Sequence, residues 1–417
     1  MVATTVEGRS RAYGLPLGDI NVAQSELWRT DEIWPYFERL RREDPVHWHP
    51  AEHHRAGAFW SVTRFNDIVA VDTNHQAFSS EPSIFLDDPI EGFSLPAFIQ
   101  MDPPRHDELR KTVSPAVSQK SLAEMESLIR SRICETLDSL PIGEPFDWVD
   151  RVSIELTGQM LATLFDFPFE DRRKLTYWSD MATAEPDSGL YDPERFEEQF
   201  MEIMLECAAY FTRLWNERIN AEPKGDLISM LAHGEATRDM DPNEFLGNLL
   251  LLIVGGNDTT RNTMSGSILA MHQNPDQRAK LDADPSLIPS MVSETIRWQT
   301  PLSYMRRTAT RDIELGGKTI RKGDKVVMWY ASGNRDETVI DHPERYIIDR
   351  PNVRRHLAFG FGIHRCVGNR LAELQLRILW EEILARFPTI EVLDFERVPS
   401  PFVHGYSSMK TLIPSRR

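Results

Sequence analysis

The stretch Phe359-Gly360-Phe361-Gly362-Ile363-His364-Arg365-Cys366-Val367-Gly368 constrains this chain more than any other: three glycines crowd one cysteine, and a helical run, Asn369 to Arg386, follows at once. Glycine reaches backbone conformations that other residues avoid, so the segment predicts a tight turn opening into a helix. Helix N-terminal N–H groups and Arg365 would both favour a thiolate at Cys366, which makes that sulfur a good metal ligand. The alternative is a small buried cysteine in a glycine-rich loop. Cys134 and Cys207 lie in helical patterns and read as core thiols. Three cysteines without metal-site spacing give neither a disulfide framework nor a zinc cluster.

A second unusual stretch lies upstream. Asn243 to His272 reads as one long helix, opened by Asp241 and Pro242. Its centre, Leu249 to Val254, is apolar all round and therefore buried, yet Gly255-Gly256-Asn257-Asp258-Thr259-Thr260 follows directly. Two glycines inside a helix cost about 1 kcal/mol each relative to alanine. Either they let another helix approach closely, or they leave room above a cofactor while Thr259 bonds the carbonyl of Gly255 and distorts the helix locally.

Elsewhere the pattern is mixed near the start and helical later. Residues 1–25 carry mixed charge and lack the apolar centre of a secretory signal; they read as a loosely held arm on a cytoplasmic protein. Ile33 to Arg42 reads as a helix, 46–62 as a β-hairpin, and Asn66 to Asp72 as another helix. From 80 to 101 periodicity fades and Pro82, Pro89 and Pro96 recur, as in a lid or binding loop. Helical patterns return over Ser121 to Leu164, Glu170 to Thr183 and Pro193 to Asn220. His106 and Arg110 share a helix face, as do Glu294 and Arg297; each pair read alone is an ordinary helix surface.

Phe359, Gly362, His364, Cys366 and Gly368 fit the Phe-x-x-Gly-x-His-x-Cys-x-Gly pattern, and the chain resembles the haem-thiolate monooxygenases, the cytochrome P450 family. The resemblance implies one mainly α domain with small β-sheets, a triangular prism with haem b between a long distal helix (243–272) and the proximal Cys-loop helix (359–386). It implies Cys366 as the iron ligand, with Phe359, Gly360 and Gly368 in the ligand loop. His106, Arg110, Arg307 and His364 would hold the haem propionates. Arg306 competes with Arg307, and strand alternation allows only one of the two to reach the haem. Gly255 would border the haem, with Asp258 and Thr259 as the acid–alcohol pair that manages protons for dioxygen. Glu294 and Arg297 match the family's structural Glu-x-x-Arg.

Gly255 to Asn262, Met101 to Glu108 and His364 to Glu373 are similar to the bacterial alkane hydroxylase branch. That likeness implies oxidation of the terminal (ω) carbon of medium-chain alkanes or fatty acids by O2. Electrons would come from NAD(P)H through a flavin reductase and a [2Fe–2S] ferredoxin. Leu95, Phe98, Ile99, Leu251, Val254, Gly255, Leu302, Ser303, Phe402 and Val403 are the expected contacts to a small hydrophobic substrate. Competing readings are a P450 acting on a terpene or other compact hydrophobe, and a haem protein that senses or uses peroxide without activating oxygen. Gln375 stands where many bacterial relatives carry glutamate, beyond the ligand turn.

Charge narrows the partners further. A formal charge of −17 over 417 residues opposes nucleic-acid binding, and no apolar run is long enough for a membrane anchor. Yet Arg350 to Arg377 holds six arginines and one acid, Glu373, a basic segment suited to an acidic partner.

Overall fold

The computed structural model describes residues 6–186 and 188–417. Tertiary contacts divide the chain into two compact units. The first comprises the described part of Met1–Pro89 with Gly266–Cys366 and Phe395–Ser407; the second comprises Ile90–Ser265, Val367–Asp394 and Ser408–Arg417.

The first unit is built on a five-stranded sheet in the order Val46–His49, Phe59–Val62, Lys325–Met328, Met305–Ala309, Phe78–Ser79. The hairpin pairs Val46 with Val62, and the next contact is parallel, Trp60 opposite Val326. Val326, Val327 and Met328 are fully buried, as a central strand with a parallel neighbour requires. The strand stops there: Trp329 stacks on Trp28 at 5.9 Å, and Tyr330–Gly333 turns helical. Phe65–Asp72 forms a helix whose first N–H, at Phe65, donates to Asp336 Oδ2 at 2.8 Å. The expected loose arm is helical over Val6–Gly14 and tied down by Arg9 on Glu38 at 2.9 Å; its residues 1–5 lie outside the described residues.

Helices dominate the second unit. The pattern from Ser121 to Leu164 resolves into two, Gln119–Asp138 and Glu155–Phe165, separated by a short strand at Phe146–Asp147 and a π-helical turn at Val149–Ile154. Pro141, Gly143 and Pro145 mark the break. Gln119–Asp138 packs along Asn369–Arg386, the helix that follows the cysteine loop. Arg130 bridges Glu381 and Glu382, and Arg377 reaches Glu126 at 2.8 Å.

The long helix runs Pro242–Gln273. Asp241 caps it, accepting from the Asn243 N–H at 2.8 Å. It stays α-helical through Gly255–Thr260, so the expected local distortion does not interrupt it. A β-carbon at Gly247 would lie 2.3 Å from the Pro96 carbonyl oxygen, so only glycine lets the backbone of Leu95 and Pro96 rest on this helix. Asn248 Oδ1 then accepts from the Phe98 N–H at 3.0 Å. That segment of the 80–101 loop is thereby fastened rather than free.

Candidate functional site

Cys366 is exposed. Its N–H donates to the Phe359 carbonyl at 2.8 Å, which closes the loop, and Gly360 and Gly362 take φ of 66° and 65°. A β-carbon at Gly362 would lie 2.4 Å from the Asp72 carbonyl oxygen, so this glycine is required by both conformation and space. At Gly368 an added β-carbon meets nothing within 4 Å; that glycine is not demanded by packing.

Within the same unit, Arg307 Nη2 donates to Asp72 Oδ1 at 2.8 Å and Nη1 to the Arg306 carbonyl at 2.9 Å. Arg306 turns elsewhere, to Asp88 Oδ1 at 2.8 Å, so strand alternation does separate the two guanidinium groups. His364 Nε2 lies 2.9 Å from Ser80 Oγ. Glu294 and Arg297 form a fully buried pair at 2.8 Å, joined by Arg350 at 3.1 Å. Arg297 also donates to the carbonyls of Asn334, Pro343 and Arg345, which fixes the irregular chain ahead of the cysteine loop. Leu302 bridges Val403, and the Ser303 N–H donates to the Phe402 carbonyl at 2.9 Å. Phe402 and Val403 are buried, Phe402 against Phe85 and Tyr304, and Ser303 is fully buried; Leu302 alone of these four is half-buried.

The second unit carries the other candidates. On the long helix the two glycines differ in role. At Gly255 an added β-carbon meets nothing within 4 Å, whereas at Gly256 it would sit 2.7 Å from Leu161 Cδ2. Gly256 therefore serves close helix packing, and Gly255 keeps a space open. Thr259 Oγ1 donates to the Gly255 carbonyl at 2.7 Å beside that space. Leu251 and Val254, half-buried, share the face of Gly255 by helical spacing. Leu95 and Ile99 are half-buried and Phe98 is buried, its ring 6.3 Å from that of His106. His106 Nδ1 lies 2.7 Å from Asp107 Oδ1, and burial holds its pKa below the usual histidine value. Arg110 is half-buried one turn further along the helix.

Asp258 is fully buried. Its Oδ1 accepts from Asn257 Nδ2 at 2.8 Å and faces Arg261 at 3.0 Å, and its Oδ2 accepts from Thr183 at 3.3 Å. Arg261 is shared with Asp180 at 2.6 Å. Burial pushes the Asp258 carboxyl up to about 6; Arg261 opposes the shift and Asp180 adds to it. Arg261, three residues beyond Asp258, was within reach of helical-spacing arguments. Asp180, Thr183 and the Asp72 and Ser80 contacts were not, because they come from distant parts of the chain.

Among the described residues no group of three or more His, Cys, Asp or Glu side chains is arranged to hold a metal ion. A porphyrin iron on Cys366 would need no such cluster, because the macrocycle supplies its other ligands. The accessible thiol fits such a group.

Comparison with known proteins gives the same answer. The profile of the family described as Cytochrome P450 matches residues 286–407. Linalool 8-monooxygenase of Pseudomonas putida is 36% identical, covering 90% of this chain and 94% of that protein. Methyl-branched lipid omega-hydroxylase of Mycobacterium bovis is 31% identical, with 98% and 97% covered. The solved structure of CYP153D17 from Sphingomonas sp. PAMC 26605 is 51% identical with a TM-score of 0.89, over 94% of this chain and 98% of that one.

Proposed function

The chain belongs to the cytochrome P450 family, and from that premise we propose that it hydroxylates the terminal carbon of a medium-chain alkane or fatty acid. Family membership makes it a monooxygenase with a cysteine-ligated haem, O2 as co-substrate and electrons drawn from NAD(P)H. The supporting observation is the similarity over 98% of the chain to a lipid omega-hydroxylase. It joins the likeness of Gly255 to Asn262, Met101 to Glu108 and His364 to Glu373 to the alkane hydroxylase branch.

Bound to Cys366, haem supplies the activation of dioxygen, which consumes two electrons and two protons. His106, Arg110, Arg307 and His364 would hold its propionates, and Phe359, Gly360 and Gly368 would shape the ligand loop. Thr259 Oγ1 would hold a proton by hydrogen bond beside the reacting oxygen. Asp258 would resupply it from its carboxyl, which titrates at about 6 and so exchanges protons near neutrality. Leu251 and Val254 offer an apolar wall next to Gly255, with Leu95, Phe98 and Ile99 on the loop and Leu302, Ser303, Phe402 and Val403 as further contacts. A terminal methyl resists oxidation more than an internal methylene, so the wall must admit only the chain end.

The proposed electron donors are a [2Fe–2S] ferredoxin and its flavin reductase, and the proposed compartment is the cytoplasm. No helix among the described residues is long and apolar enough to cross a membrane. Of the basic segment, Arg350 is buried on Glu294 and Arg377 is paired with Glu126 and Glu381, which leaves Arg354, Arg355, Arg365 and Arg370 exposed for an acidic ferredoxin.

Product analysis on panels of alkanes, fatty acids and terpenes tests the reading. Primary ω-alcohols are expected, and mainly subterminal alcohols overturn it. The likeness to linalool 8-monooxygenase favours a second reading, a terpene substrate, which the same panel separates.

A further inference from the structure

Asp72, the last residue of the helix Phe65–Asp72, is 3% exposed and has no part in the reading above. Three groups donate to its carboxylate. Arg307 Nη2 reaches Oδ1 at 2.8 Å, Tyr330 Oη reaches Oδ2 at 2.9 Å, and the Phe361 N–H reaches Oδ2 at 2.8 Å. Its own carbonyl oxygen is the atom that a β-carbon on Gly362 would strike, and a β-carbon on Gly360 would come within 3.4 Å of Oδ2. One buried carboxylate therefore seats the turn that presents Cys366 through Oδ2 and fixes Arg307 through Oδ1.

We propose that Asp72 is a positioning residue that couples the thiolate loop to the propionate-binding arginine, and that its buried negative charge tunes the haem. The proposal rests on the haem-thiolate reading. A carboxylate suits the place because all three neighbours are donors and it is acceptor-only when ionised. Asparagine keeps the shape but turns an N–H2 group toward donors, and it leaves the Arg307 cation buried without its anion. The loop then loses the Phe361 anchor or Arg307 loses its partner. Removing the buried anion that contacts the Cys366 loop would favour the reduced state, so the ferric/ferrous potential would move positive.

The test uses the haem-loaded full chain as wild type, Asp72→Asn and Tyr330→Phe. Two readings are taken, the Soret band of the reduced carbon monoxide complex and the reduction potential. Asp72→Asn is expected to convert a large fraction of the red-shifted thiolate band to the form lacking thiolate ligation and to move the potential positive. Tyr330→Phe removes one donor to Oδ2 and keeps the anion, so it is expected to lower the red-shifted band to a smaller degree and to move the potential negative. A purely structural role would lower Tm and leave band and potential unchanged, which overturns the proposal. If Asp72→Asn takes up no haem, Tyr330→Phe decides by the same readings, and an unchanged band and potential in it overturn the proposal. A wild type without the red-shifted band would sink the haem-thiolate reading itself, a distinct failure.

Discussion

Asp258 lies 3.0 Å from Arg261, one helical turn away on the same helix, with both side chains almost completely buried. The same guanidinium reaches the half-buried Asp180 at 2.6 Å, so two carboxylates share one cation. The candidate proton donor is thus held in reserve by a network on its own side of the helix, while Thr259 bonds the Gly255 carbonyl.

That arrangement predicts a pH signature. Burial raises Asp258 from 3.8 to about 6, so the folded chain binds this proton more tightly than the unfolded one. Its contribution to stability is full below pH 4 and is lost as pH rises toward 6, staying level above. Asp258→Asn should remove this slope from a plot of Tm against pH. It should also slow turnover by roughly two orders of magnitude or more, the scale of a lost general acid. An unchanged rate would show that protons reach Thr259 by another path.

The Glu294, Arg297 and Arg350 cluster should govern stability rather than chemistry. Glu294→Gln strands two buried cations, and breaking such a pair costs about 3–5 kcal/mol. Chemical denaturation should show a much lower midpoint, with an unaltered carbon monoxide spectrum in the protein that remains folded.

The two helix glycines should respond in opposite ways. Gly255→Ala meets no neighbour and gains about 1 kcal/mol of helix propensity. Gly256→Ala meets Leu161 at 2.7 Å and should gain nothing or lose stability. Thermal melts of the two variants read this directly. Gly255→Leu should in addition weaken the spectral shift produced by long-chain substrates.

Electron delivery should be salt-sensitive if Arg354, Arg355 and Arg370 meet an acidic ferredoxin. Replacing all three by glutamate should raise the KM for ferredoxin by about tenfold or more and flatten its dependence on ionic strength. Substrate binding, followed by the spin-state spectrum, should stay unchanged. Unaltered ferredoxin kinetics would move the docking face elsewhere.

What the sequence determined was local. The glycines around Cys366 forecast a turn because only that residue type tolerates φ near 65° at Gly360 and Gly362. The long helix was legible from Asp241 to within a residue of its end, since apolar periodicity and a cap are properties of neighbours. The spacing of the ligand-loop motif carried the family. Tertiary structure alone assigned the reasons. Of the explanations offered for Gly255-Gly256, close helix packing holds for Gly256, whereas Gly255 has open space beside it, and only the position of Leu161 separates the two. The partners of Asp258, Arg261 and Arg307, namely Thr183, Asp180 and Asp72, lie 75 to 235 residues away along the chain. A buried charge must find its counter-charge wherever the fold brings one, and no short-range pattern encodes that distance. Cys366 was legible as a candidate ligand from its neighbours, but the carboxylate that seats its loop became visible only in the folded chain.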